Sequence, residues 1–366
     1  MASFIGNKDY VHGTKSKIGI LLTNLGTPDE PTAKSLKVYL KEFLSDTRVI
    51  ETPKWIWWLI LNGIILNIRP AKSAKLYKSI WADGGSPLMV NARKQLQLTE
   101  KRFKDSHPHL VFDLGMRYGN PSIKSALNNL RKQNCDKIII FPLYPQYCAA
   151  TTGSTFDAVA KEFLNWRWVP SLRFISNYHT NDQYINALCN SIKEYWEKNS
   201  KPKKLIFSYH GVPKKYLDKG DPYHCYCHKT ARLVANELNL NEDEYIVTFQ
   251  SRFGTQVWLQ PYTDEILTGL AKDGIDSVDI FCPGFLCDCL ETLEEINMQS
   301  RENYILSGGK IFNYIPALND CDENIDSMEK IILREILGWD NNSINSIDNL
   351  KITQQSYDKH AYNKKI

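Results

Sequence analysis

Two stretches of the chain read alike: Asp136–Thr155 is DKIIIFPLYPQYCAATTGST and Asp276–Glu295 is DSVDIFCPGFLCDCLETLEE. Each begins as a run of β-branched and aromatic residues, passes through a proline turn and ends in a helix start. Apolar runs with little alternation predict strands buried on both faces, as in parallel sheets covered by helices. A second echo lies upstream of each, where Leu25–Pro28 (LGTP) and His210–Pro213 (HGVP) close the first strand of a half. Further strands are expected in KIGILLTNLG, LVFDLGMRYG, KKLIFSYHGVP and EYIVTFQS. The fold class is therefore α/β, with two similar Rossmann-like domains, each a parallel sheet with helices on both faces, and a cleft between them. The expected boundaries are 16–178 for the first half, 179–338 for the second, and 339–366 for a polar, Asn-rich tail.

The 366 residues are 43% hydrophobic and 23% charged, enough apolar matter for a substantial core. The net charge of +4 is mild and its basic residues are scattered, which gives no electrostatic case for nucleic acid. Nine cysteines and no apolar leader predict a cytoplasmic protein with free thiols or metal ligands. No G-x-G-x-x-G follows a strand, and neither a P-loop nor a G-x-S-x-G elbow is present.

One segment stands apart, residues 53–81, PKWIWWLILNGIILNIRPAKSAKLYKSIW. Its apolar part, Trp55–Ile68, is too short and too polar to span a bilayer. Trp55, Trp57 and Trp58 at one end, with Lys72, Lys75 and Lys78 beyond the other, fit a membrane-surface segment or a cleft lip. A buried core helix is the alternative.

In Phe281–Ile296, FCPGFLCDCLETLEEI, Asp288 followed three positions later by Glu291 has the form of an N-cap and capping box. Glu291 and Glu295 share a helical face, where like charges repel, so the pair is better suited to hold a cation or pass protons. His210 sits at a strand end that would face the crevice, and imidazole with carboxylates is a ligand set that suits ferrous iron. Arg117-Tyr118, Tyr144, Tyr147, Arg252 and Trp258 would supply stacking surface and cations for a flat apolar ligand bearing carboxylates, with Phe249 in the core.

These motifs together, GILLTNLGTPDEP, GMRYGNP, LYPQY with TTGS, SYHGVP with GDPY, TFQSRFGTQVWLQPYTDE and PGF..DCLETLEEI, closely resemble ferrochelatase of the bacterial type over residues 16–335. The resemblance implies a chelatase-type fold and insertion of ferrous iron into protoporphyrin IX, the last step of haem synthesis. It assigns metal binding and proton abstraction to His210 and Glu291 on opposite sides of the porphyrin, with Glu295 continuing an acidic track. It places Leu25, Arg117, Tyr118, Trp258 and Phe285 on the porphyrin pocket. It implies peripheral association with the cytoplasmic membrane, and Fe2+ as substrate. Cys289 stands where animal members carry a histidine, and the spacing of Cys287 and Cys289 suits turn residues. In HCYCH, His224–His228, Cys225 and Cys227 are either [2Fe-2S] cluster ligands or plain thiols at a helix start. A chelatase preferring cobalt or nickel, a haem carrier that would not need Glu291, and a zinc-clamp interaction module at HCYCH, which would leave the rest of the two-domain design unexplained, are the competing readings.

Overall fold

A computed structural model of the protein describes residues 4–7, 10 and 13–339, so all but the first residue of the expected tail lies outside the described residues. The first sheet contains β1 (Lys17–Thr27), β2 (Leu110–Gly119), β3 (Cys135–Pro142) and β4 (Ser171–Phe174) in the order β2-β1-β3-β4. The second contains β5 (Lys204–His210), β6 (Tyr245–Gln250), β7 (Ser277–Phe281) and β8 (Ile311–Ile315) in the order β6-β5-β7-β8. All ladders are parallel, so the two sheets repeat one topology. The central strands are nearly all apolar because both their faces are covered: Ile20, Leu21, Leu22, Ile138, Ile139 and Ile140 are fully buried. The edge strands β4 and β8 carry no such run and were not expected from the sequence. Ser171, Leu172 and Ile311 are exposed there.

The matched turns have a shared cause. Gly26 has φ +105, and a Cβ on it would lie 1.8 Å from the carbonyl oxygen of Tyr118 on β2. A Cβ on Gly211 would lie 2.7 Å from the carbonyl oxygen of Gln250 on β6. In both halves the chain leaving the first strand runs against its neighbour at a distance only glycine permits. Leu25 and His210 are the residues delivered to the cleft just before those glycines.

Between β1 and β2 the first half carries an insertion. Helix Ala33–Leu44, capped by Thr32 accepting from the Ser35 N–H, leads to helix Lys54–Ile60, a π-helical turn Leu61–Ile65 and helix Leu66–Ile80. Leu66, Pro70, Ala74 and Tyr77 form its inward stripe. Outward, Trp55 is 71% and Trp58 62% exposed, together with Leu59, Ile64 and Ile68, which rules out the buried core helix for this end of the segment. Trp57 alone of the three turns in, its indole N–H donating to the Leu44 carbonyl at 2.6 Å. No helix of the described residues is long and apolar enough to cross a membrane.

The halves are tied through helix Pro87–Phe103 and helix Asp322–Ile336. Gln95 donates to the carbonyls of Leu286 and Asn319 at 2.9 and 2.8 Å, and Arg102 pairs with Asp322 and Asp326. Helix Asp322–Ile336 buries Ile325, Met328, Ile331, Ile332 and Ile336 against helix Asp182–Lys198 and helix Pro87–Phe103 together. At the base of the insertion Tyr216 donates to the carbonyl of Arg48, and Glu51 pairs with Lys215 and Lys219.

Candidate active site

The end of β1 and the segment after β7 line one pocket, and the expected residues His210, Glu291 and Glu295 come from the second half. His210 is the last residue of β5 and only partly buried. Its Nδ1 lies 2.6 Å from the Gly211 carbonyl oxygen. A carbonyl can only accept, so Nδ1 carries a proton, and Nε2 is the nitrogen left to meet a metal or exchange a proton. The Tyr223 hydroxyl holds the His210 carbonyl at 3.0 Å.

After β7 the chain turns through Pro283 and Gly284 and enters a π-helix, Glu291–Ser300. The expected capping box is not formed. Asp288 is buried away from the helix start, accepting from Thr292, Tyr314 and Asn319 and from the Ala317 N–H. The Cys289 N–H is met instead by the Thr292 hydroxyl at 3.0 Å, so Glu291 is released from capping and lines the cavity. π-Helical segments are rare and concentrate at functional sites. Here the first turn is pinned from β6: the Gln250 side-chain amide donates to the Glu291 carbonyl at 2.8 Å.

Glu295 is gripped from the same place. Ser251, a non-glycine residue at φ 64, donates its N–H to Glu295 Oε1 at 2.7 Å and its hydroxyl to Oε2. Burial pushes the Glu295 carboxyl above its ordinary range; the Ser251 hydrogen bonds and His210 pull it back, Glu291 adds to the rise, and the net shift is upward. Glu294, half-buried, is raised by burial and then by Glu291. Glu295 thus lies within electrostatic reach of both His210 and Glu291, an imidazole beside a carboxyl made easier to protonate.

The first half forms the opposite wall. Leu25, Tyr39, Tyr77 and Leu88 face Cys289 and Glu291 around a narrow pocket. Both tyrosine hydroxyls are held far above their usual pKa, first by burial and further by the Glu291 charge. Arg69 of the insertion lies 5.4 Å over the Phe253 ring of the second half, so the cleft is closed between them.

The remaining expected residues are dispersed. Leu25 is on the cavity wall. Trp258 packs on Gly211 beside His210, its indole N–H donating to the Phe253 carbonyl at 3.0 Å. Phe285 is partly buried on the turn after β7, packed against both the core cluster shared by the two halves and that of the second half. Arg117 and Tyr118 are already occupied: Arg117 is bound to Asp46 and Ser154, and the fully buried Tyr118 donates to Asp46 at 2.8 Å. Tyr39, Tyr77, Asp46 and Ser251 were not expected from the sequence.

The cysteine pair is corrected. Helix Tyr223–Glu237 carries Cys225 exposed and Cys227 fully buried against Tyr223, two positions apart and on different faces. Thiolates of a [2Fe-2S] cluster must converge, so these two do not fit a shared cluster. Among the described residues no group of three or more His, Cys, Asp or Glu side chains is set to hold a metal ion. Cys289 is buried beside Glu291, and burial followed by that charge keeps its thiol protonated. Cys287 donates to the Gln95 side-chain oxygen at 3.2 Å.

A family model described as Ferrochelatase matches residues 17–336. The ferrochelatase of Thioalkalivibrio sulfidiphilus is 51% identical over 337 residues, covering 92% of this chain and 91% of the relative. That of Marinobacter nauticus is 51% identical over 336 residues, with 92% and 91% covered. Among solved structures, SirB from Bacillus subtilis with Fe3+ aligns with a TM-score of 0.53 at 12% identity, over 87% of this chain and 95% of that one, a likeness of fold. With the family model covering most of its length and about half of its aligned residues identical to these relatives, the chain belongs to the ferrochelatase family of metal-inserting enzymes.

Proposed function

We propose that this protein inserts ferrous iron into protoporphyrin IX, and that His210 and Glu291 carry the reaction from opposite sides of the macrocycle. The supporting observation is His210, whose Nδ1 is taken by the Gly211 carbonyl so that Nε2 is the nitrogen left for substrate, within electrostatic reach of Glu295. Metalation must remove two pyrrole protons as the metal enters. A neutral imidazole accepts a proton from a pyrrole nitrogen, and a carboxyl with a raised pKa beside it is matched to take that proton onward. Glu291 and Glu295, on one face of the π-helix, offer an anionic path for a divalent ion or for departing protons. Leu25, Tyr39 and Tyr77 would hold one face of the ring, with contacts to its edge supplying energy to distort it.

The closed cleft requires the insertion 53–81 to move away from the second half to admit the macrocycle. Its exposed Trp55, Trp58, Leu59 and Ile64 suit contact with a membrane surface, from which an apolar porphyrin would enter. We accordingly place the protein in the cytoplasm, peripherally bound to the membrane. The test is anaerobic insertion of Fe(II) into protoporphyrin IX by purified protein. Turnover is expected; porphyrin binding without turnover, or turnover only with cobalt or nickel, would overturn the reading.

A further inference from the structure

The HCYCH run has no part in the cleft chemistry, yet its helix starts directly behind the His210 turn, through the Tyr223 bond to the His210 carbonyl. The helix that separates the two cysteines brings the two histidines together. His224 and His228, four residues apart, share a face with ring centroids 4.4 Å apart at an interplanar angle of 45°. Both rest on the Phe249 ring, at 5.6 and 6.2 Å between centroids. Phe249 is itself buried, so the rings stand on a rigid apolar floor. Neither imidazole hydrogen-bonds to a described residue, and none of their nitrogens is sealed from solvent.

An ion ~2.0–2.1 Å from one nitrogen of each ring, in tetrahedral geometry, would set the centroids roughly 5 Å apart. A small rotation of either side chain covers the difference from the observed separation. Burial lowers the pKa of both rings, His228 to about 4 with His224 and Arg232 contributing, so both are neutral, ligand-ready imidazoles at pH 7. From this geometry we propose that His224 and His228 form a second divalent-cation site, separate from the His210–Glu291 cleft, for a borderline ion such as Zn2+, Ni2+ or Co2+. Two imidazoles with no carboxylate select against Mg2+ and Ca2+, which need oxygen ligands. Water completes the coordination. Arg232 and the positive end of the helix both oppose a cation, so the site is weaker than a closed structural zinc site.

The test is calorimetric titration of the full chain with Zn2+ alone, in the wild type, in His210→Ala, and in His224→Phe combined with His228→Phe, which keeps aromatic packing on Phe249 but removes the nitrogens. The wild type and His210→Ala should share one class of site that the double phenylalanine variant lacks, or binds at least ~10-fold more weakly, a change of about 1.4 kcal/mol. Zn2+ should raise the melting temperature of His210→Ala and not that of His210→Ala carrying the two phenylalanines. Superimposable isotherms for wild type and double variant would overturn the proposal, as would loss of all Zn2+ binding in His210→Ala. Activity plays no part in the readout, so failure of the iron-insertion reading would leave this result standing.

Discussion

The two halves share strand order, parallel ladders, a glycine-forced turn after the first strand and a π-helical segment after the third, yet they bring different side chains to the same places. Where the first half delivers Leu25, the second delivers His210. Where the short π-turn Ala149–Gly153 leads into Ser154, which helps Asp46 hold Arg117, the long π-helix Glu291–Ser300 presents carboxylates to the cleft. The duplicated backbone fixes where side chains arrive, and the side chains make one half apolar and aromatic there and the other imidazole- and carboxylate-bearing. The contrast is sharpest in two carboxylates. Asp46 is an ordinary buried anion, stabilised by its partners; Glu295 is held where its charge is disfavoured. Burial pushes Asp46 upward, but Ser154, the Arg48 N–H, Tyr118 and Arg117 outweigh it and leave the carboxyl below its usual range.

The largest effect should come from removing the asymmetry at its source. His210→Ala and Glu291→Gln should each lower iron insertion by about 10²–10⁴-fold, the scale of general acid–base catalysis, while porphyrin binding and melting temperature persist. The equivalent change in the first half, Leu25→Ala, should weaken porphyrin binding without that loss of turnover. Comparable losses of turnover for Leu25→Ala would show that the halves are less specialised than their residues imply.

Next in size is Asp46→Ala, which leaves Arg117, Tyr118 and Ser154 without their common acceptor. A loss of about 2–3 kcal/mol is expected, read by chemical denaturation. Because the folded carboxyl is depressed, its contribution is complete above pH ~4 and is lost as pH falls through the depressed value. The difference from wild type should therefore shrink in acid.

Glu295→Gln should behave oppositely. Its carboxyl is raised in the fold, so ionisation costs stability above the raised value and costs nothing once pH falls below the ordinary range near ~4.3. The variant should be more stable than wild type at neutral pH, with the advantage closing as pH drops through the raised value. Insertion should nonetheless slow. A Glu295→Gln variant that is less stable at neutral pH would mean that the Ser251 grip outweighs desolvation.

Smallest for the fold is Trp55→Ser with Trp58→Ser. Both are exposed, so stability should stay within about 0.5 kcal/mol of wild type. Co-sedimentation with anionic vesicles should fall several-fold; unchanged binding would exclude this face as the membrane contact.

Much of this arrangement was legible in the sequence. Six of the eight strands are apolar runs long enough to stand out, and the paired LGTP and HGVP turns exposed the duplication. The short edge strands β4 and β8 were not legible, because half their surface is solvated and no continuous run forms. Asp288 was misread because its local spacing fits a capping box, whereas its acceptors are filled by Tyr314, Ala317 and Asn319 across the fold. Asp46 gave no signal at all: a lone loop aspartate does not announce partners at Arg117 and Ser154, which only the fold brings near. Tyr39 and Tyr77 sit in helical stripes with Leu36, Leu40 and Ala74, and so read as core. The π-helix was hidden too, since Glu291 and Glu295 share a face under either helical period.

Helix Asp322–Ile336 packs on the first half through Thr99 and Arg102 while burying its apolar stripe against helix Asp182–Lys198. During synthesis the first sheet can close once β4 has emerged, but the face of helix Pro87–Phe103 that this last helix covers must wait for more than a hundred further residues. At 5–20 residues per second that interval is on the order of ten to thirty seconds. Throughout it Leu88, Met89 and Ala92 have the second half still unmade around them, and a nascent chain stalled there would be a sticky one. The helix that joins the two walls of the cleft thus makes the protein's birth, more than its finished state, the period when it most needs a chaperone.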